Sequence, residues 1–162
     1  MIRNATPSDA VAIKDIYNYY VHNTIVTFEE EPVTAAEMLS RITEMQLNHL
    51  WLVYEWQGVV VGYAYAGKWK ARSAYKHSVE VSVYLAPDVT GKGIGKRLYT
   101  TLLAELKPLG IHAVIGGIAL PNDASVRLHE TLGFKKVAHF REVGRKFDKW
   151  VDVAYWELIL DQ

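Results

Sequence analysis

The sequence predicts a single α/β domain in which helices cover both faces of a β-sheet. Three observations carry that reading. Helical hydrophobic spacing and strand-like apolar runs alternate in the order helix, helix, hairpin, strand, helix, strand, helix, strand, strand. The 162 residues suffice for one substantial core, and 50% of them are hydrophobic. No repeat, low-complexity tract or linker interrupts the pattern, so one domain is expected over residues 1–162.

Thr6-Pro7-Ser8-Asp9 has the form of a helix start: a hydroxyl at the N-cap, a proline in the first turn, an acid three residues on. Ile13, Ile16, Tyr17 and Tyr20 follow at helical spacing. Asn23 to Pro32 breaks the spacing and reads as a loop. Thr34 and Glu37 repeat the capping-box pattern before an apolar stripe of Met38, Leu39, Ile42 and Met45. Leu50–Trp56 and Val59–Tyr65 read as strands joined by a tight turn at Gln57-Gly58. Lys68 to His77 is polar, basic and aromatic, and reads as a loop.

Ser78–Ala86 is the next strand. Ile94, Leu98, Leu102 and Leu106 mark a helix expected to end near Pro108-Leu109-Gly110. Ala113–Leu120 is a strand and Pro121-Asn122-Asp123 a turn. Ala124–Leu132 is a short helix that Gly133 closes. The last strands, Lys136–Val143 and Val151–Leu160, flank a turn at Gly144 to Lys149.

Composition narrows the function. Lys plus Arg and Asp plus Glu each number 18, which argues against broad nucleic-acid or anionic-membrane binding. Cysteine is absent, so there is no disulfide, cysteine nucleophile or thiolate metal site. No H-x-x-x-H or HExxH spacing occurs, so no metal is expected. No apolar run reaches the roughly 18 residues of a membrane span. With no signal-peptide pattern at the N-terminus, a cytoplasmic location is expected.

The most informative stretch is the strand at Ser78 and the turn after it, where Gly91, Gly93 and Gly95 alternate with Lys92 and Ile94. Glycine permits a sharp turn and close approach of a ligand to the backbone. The helix that follows offers unpaired N–H groups and a positive dipole end to an anion. A phosphate-bearing cofactor is therefore expected here. The spacing G-x-G-x-G is neither the dinucleotide fingerprint nor a P-loop.

These residues resemble the GNAT N-acetyltransferases over essentially the full chain. The family's Arg/Gln-x-x-Gly-x-Gly/Ala motif falls on Thr90-Gly91-Lys92-Gly93-Ile94-Gly95, with Thr90 in place of the usual Arg or Gln. Its second element falls on Asn122, Ser125 and Gly133-Phe134. Within the family the chain is most similar to the phosphinothricin and methionine sulfoximine/sulfone acetyltransferases. The residues that carry this are the Thr27-Phe28-Glu29-Glu30-Glu31-Pro32 loop, Gly67-Lys68-Trp69, Glu80 before Ser82-Val83-Tyr84, Leu128-His129-Glu130, and the tail from Gly144 to Val153.

The resemblance implies a mixed, mostly antiparallel twisted sheet, acetyl-CoA as donor, a small amino-acid-like acceptor and a homodimer. Val83, Tyr84, Leu85, the turn Gly91, Lys92, Gly93, Ile94, Gly95 and Lys96, and Asn122 would then hold the cofactor. Lys92, Lys96 and Arg97 would offset the charge missing at Thr90. Phe28, Glu30, Lys70, Ala71, Arg72, Glu80, Val81 and Ser82 would line the acceptor side, with Arg72 gripping a carboxylate or a tetrahedral oxygen.

Acetyl transfer to an amine needs a base, because an α-ammonium titrates near or above a pH of about 8. Glu80 is the candidate, acting through water. It is the only carboxylate in the strand leading to the turn and shares a face with Ser82 and Tyr84. A backbone N–H there, that of Val83, would polarise the thioester oxygen. Without cysteine no acetyl-cysteine forms, so direct attack in a ternary complex is the simplest route. His129 has two readings: proton donor to the leaving thiolate, or a packed helix histidine. Two other functions stay open, acetylation of a protein or other amine, and a non-catalytic acyl-CoA-binding module.

Overall fold

A computed structural model describes residues 1–161. One seven-stranded sheet runs in the order β1-β2-β3-β4-β5-β7-β6. Its strands are β1 (Ile2–Asn4), β2 (Trp51–Trp56), β3 (Val59–Lys68), β4 (Ser78–Leu85), β5 (Ala113–Leu120), β6 (Lys135–Lys146) and β7 (Lys149–Ile159). The helices are α1 (Ala10–Asn23), α2 (Ala35–Gln46), α3 (Ile94–Leu106) and α4 (Asp123–Thr131). Every pairing is antiparallel except β4 with β5.

The alternation of the strands sorts their side chains into two cores. Trp51, Val53, Tyr63 and Tyr84 pack against Ile13, Ile16 and Tyr17 of α1 and Met38 and Ile42 of α2. Leu52, Tyr54, Ala64, Ala66, Val79 and Val81 face the other way, against Leu98, Leu102 and Leu106 of α3. Helices therefore do cover both faces. The Thr34–Glu37 box starts α2 as expected: the Thr34 hydroxyl accepts from Glu37 N–H at 3.1 Å and the Glu37 carboxylate from Thr34 N–H at 2.7 Å.

Several boundaries differ from the sequence reading. Strand β1 was not expected, because three residues carry no period; pairing with β2 creates it. Thr6-Pro7 opens a 3-10 turn over Pro7–Asp9, and α1 begins after it. Strand β3 runs on to Lys68, held there by its register with Val79. Asn122, expected in a turn, caps α4 by accepting from Ser125 N–H at 3.2 Å. The last hairpin is tighter than Gly144–Lys149. Only Phe147 and Asp148 turn, with φ of 51° and 59°, and both strands extend to meet them. Register shifts between Lys136 and Ala138 and between Phe140 and Gly144 hide the period in β6.

Candidate active site

Strand β4 carries the site because it leaves its neighbour. Its parallel register with β5 runs only from Ser78↔Ala113 to Glu80↔Ile115, after which the two strands part. Ala86 N–H donates to Val61 of β3 at 2.8 Å, so the Leu85 carbonyl points the opposite way, where the Tyr20 hydroxyl donates to it at 2.6 Å. By alternation Val83 turns its N–H and C=O the same way as Leu85, into the split. The split is a slot of about 50 Å³ lined by Val83, Tyr99, Asn122, Ser125 and His129 among others.

At the end of β4 the chain enters α3 through Gly91 and Gly93, both left-handed with φ of 76° and 77°. No atom lies within 4 Å of where a Cβ would stand on either. The first bond back into this turn is Arg97 N–H to Gly93 at 3.1 Å, so the N–H groups of Ile94, Gly95 and Lys96 have no helical partner. Thr90 stays exposed and turns back on its own loop, its hydroxyl donating to the Pro87 carbonyl at 3.1 Å, and Lys92 reaches back to the Asp88 carbonyl at 3.2 Å. The Ile94 side chain belongs to the α3 core, and Lys96 stays exposed. Arg97 donates to the Tyr54 hydroxyl at 3.3 Å.

A larger cleft of about 1130 Å³ opens on the α1–α2 face of the sheet. Glu80, Ser82 and Tyr84 line it together, as their period of two requires. Ser82, Tyr84, Gly117 and Ala119 line both cleft and slot, so the two spaces meet beside the β4–β5 split. Glu80 is half-buried. Burial raises its pKa above the ordinary carboxylate range, and the Lys70 charge opposes that rise. Lys70 lies over the Trp69 ring at 4.6 Å.

The structure brings Phe28, Lys70, Glu80 and Ser82 to the cleft and leaves Glu30, Ala71 and Arg72 exposed outside its lining. Glu29 stands where Glu30 was expected. Its N–H donates to the Thr27 hydroxyl at 3.3 Å, and this local turn sends Glu29 toward Arg41, with which it pairs at 2.7 Å. Ala71 and Arg72 fail to reach because the chain leaves the cleft toward a 3-10 turn at Ser73–Tyr75. The Val81 side chain belongs to the α3 core, and the residue borders the slot rather than the cleft. Tyr155 and Glu157 of β7, unforeseen, complete the wall. Their alternation along the strand was readable, but not the neighbour that β7 would take.

His129 is buried, with its imidazole against Gly116, where a Cβ would overlap Nε2. Its Nδ1 lies 2.7 Å from the Ser125 carbonyl, which can only accept, so Nδ1 carries the proton and Nε2 the lone pair. Burial lowers its pKa, with the Ser125 bond pulling the other way. Tyr99 and Phe134 meet the ring edge-on, with centroids at 5.3 and 5.1 Å. In its neutral form the ring has its proton on Nδ1 and none on Nε2, the nitrogen beside β5.

The profile of the acetyltransferase (GNAT) domain matches residues 2–155. The chain belongs to the GNAT acetyltransferase family. It is 44% identical over 156 residues to a phosphinothricin N-acetyltransferase of Streptomyces viridochromogenes, covering 96% of this chain and 85% of that protein. It is 38% identical over 162 residues to the L-methionine sulfoximine/L-methionine sulfone acetyltransferase of Salmonella typhimurium, covering 99% of this chain and 95% of that one. The crystal structure of a GNAT phosphinothricin acetyltransferase from Sinorhizobium meliloti, in complex with acetyl-CoA, superposes with a TM-score of 0.96. The identity is 36%, covering 99% of this chain and 88% of that one.

Within this GNAT domain the unpaired edge of β4 and, further along the chain, the free amides at the start of α3 are the two parts of a candidate cofactor track. The amides suit a diphosphate. The open edge at Val83 suits the amides of an extended arm.

Proposed function

We propose that this protein transfers the acetyl group of acetyl-CoA to the α-amino group of a small amino-acid-like acceptor of the phosphinothricin, methionine sulfoximine or methionine sulfone type. One observation carries the reading. The cleft that holds Glu80 opens into the β4–β5 slot at Ser82, Tyr84, Gly117 and Ala119. An amine in the cleft and a thioester in the slot therefore meet beside a carboxylate whose pKa burial has raised.

Acetyl-CoA supplies an acyl group on a good leaving group. This chain supplies the rest. Glu80 takes the proton of the acceptor ammonium, directly or through water. Its raised pKa makes it a stronger base than an exposed carboxylate. Val83 N–H is directed into the split, where it can donate to the carbonyl oxygen as negative charge develops there. Lys70 offers the cationic contact for the acceptor's carboxylate, and Phe28, Trp69 and Tyr155 enclose its side chain. Asn122 and Ser125 border the cofactor arm.

A homodimer is part of the reading. Strand β6 is a sheet edge, and Val137, Phe140, Val143, Phe147 and Trp150 on this hairpin are each at least half exposed. An apolar edge of this kind calls for a cover. A cytoplasmic location is consistent with the cysteine-free chain.

The test is thiol release from acetyl-CoA with methionine sulfone, methionine sulfoximine, phosphinothricin, the common amino acids and a peptide panel. Turnover on the small acceptors with a kcat/KM well above that for peptides is expected. Turnover on peptides alone would overturn the assignment of the acceptor.

A further inference from the structure

The stretch from Gly144 to Lys146 has no part in the chemistry above, yet it reaches across the molecule. Lys146 on β6 is 2% exposed and has no carboxylate partner among the described residues. Its Nζ donates to the Thr27 carbonyl at 2.8 Å and to the Tyr20 carbonyl at 3.4 Å. Tyr20 belongs to the last turn of α1, the negative end of that helix. Two residues earlier, Gly144 lies against the Phe28 ring so closely that a Cβ on it would overlap the ring.

These contacts converge on three consecutive residues. Thr27 is held by Lys146 at its carbonyl and by the Tyr17 hydroxyl, 2.8 Å from its own hydroxyl oxygen. Phe28 is seated on Gly144. Glu29 is held by Arg41 of α2 at 2.7 Å. Phe28 and Glu29 are cleft-lining residues, on the loop facing Glu80. An apolar residue at position 146 would pack the hairpin without desolvating a charge. What the ammonium adds is direction: it ties the Thr27 carbonyl of the loop to the Tyr20 carbonyl at the end of α1.

We propose that Lys146 and Gly144 are positioning residues that lock the Thr27–Glu29 loop in the shape that accepts the acceptor, so that the end of the β6–β7 hairpin sets acceptor affinity. This rests on the cleft being the acceptor site, as proposed above. Lys146 donates to loop backbone from one side, and Gly144 leaves the space into which Phe28 turns from the other. Neither residue is among those lining the cleft.

The test combines kinetics with amide hydrogen exchange on Lys146→Met, Gly144→Ala and the pair Gly144→Ala/Phe28→Ala. Lys146→Met and Gly144→Ala should each raise the acceptor KM about tenfold, with kcat and the acetyl-CoA KM within about twofold of wild type. In the Phe28→Ala background, Gly144→Ala should add nothing, because the ring it displaces is gone. Amides of the Thr24–Val33 loop should exchange faster in Lys146→Met while those of β4 and β5 do not change. A general loss of fold would instead speed exchange everywhere and lower kcat without changing either KM.

Unchanged loop exchange in both single variants overturns the lock. Faster exchange with an unchanged acceptor KM overturns its role in acceptor binding. If Lys146→Met does not fold, Gly144→Ala and its pairing with Phe28→Ala decide the matter. If the wild-type protein acetylates none of the acceptors, the proposed function fails, while loop exchange still decides whether the lock exists.

Discussion

Burial pushes the Glu80 carboxyl above its ordinary range, and the Lys70 ammonium lining the same cleft pulls it back. Each group therefore affects how the other works. In the proposed reaction Glu80 is the base, and the Lys70 charge favours its ionised form.

Glu80→Gln tests the base. It should lower kcat/KM by about 10²–10³-fold and abolish the acid limb of the pH–rate profile. The substitution should also stabilise the fold. A carboxylate whose folded pKa lies above its unfolded value of about 4.3 costs stability once it ionises, and the cost disappears as pH falls below that value. The melting temperature of Glu80→Gln should thus exceed that of wild type at pH 7, with the difference vanishing near pH 4. Wild-type activity in Glu80→Gln would remove the residue from the mechanism.

Lys70→Ala and Arg72→Ala separate two neighbours that the sequence could not. Lys70 lines the cleft and Arg72 does not. Loss of Lys70 should raise the KM for a carboxylate-bearing acceptor about tenfold. It should also shift the acid limb of kcat/KM to higher pH, since the cation that lowers the Glu80 pKa is gone. Arg72→Ala should stay within about twofold on both counts. The reverse ranking, measured by initial rates, would return the acceptor's carboxylate to Arg72.

Thr90→Arg tests the cofactor track. Thr90 donates its hydroxyl to the Pro87 carbonyl, so position 90 brings no cation to the turn. An arginine there should lower the acetyl-CoA KM several-fold, more strongly at low salt, and leave the acceptor KM unchanged. Calorimetric titration with CoA at two ionic strengths would check this.

Gly116→Ala tests the packing of His129. A methyl group on β5 would overlap the imidazole, so the variant should lose roughly 1–3 kcal/mol in denaturant unfolding. Because His129 lines the slot, displacing it should raise the acetyl-CoA KM as well. A neutral effect on both would mean that His129 can move away at no cost, contrary to its close contacts with Tyr99 and Phe134.

Much of this was legible in the chain itself. The period of two through Glu80, Ser82 and Tyr84, the glycine turn before Ile94 and the Thr34–Glu37 box each depend on near neighbours in sequence. Local sterics and local hydrogen bonds determine such features, so composition and spacing reveal them. The two helical faces follow from the same periodicities.

Only the tertiary structure decided the rest. Strand β1 exists because β2 pairs with it, and the split at Val83 exists because β5 departs after Ile115. Glu29 and Glu30 are alike in sequence; the Thr27 turn and Arg41 choose between them. Lys146 reads as an ordinary surface lysine until β6 carries it onto the Thr27 carbonyl, 119 residues away along the chain. These outcomes depend on which distant groups meet. That is settled by the register of a sheet edge and the packing of a loop, not by any pattern in the residues themselves.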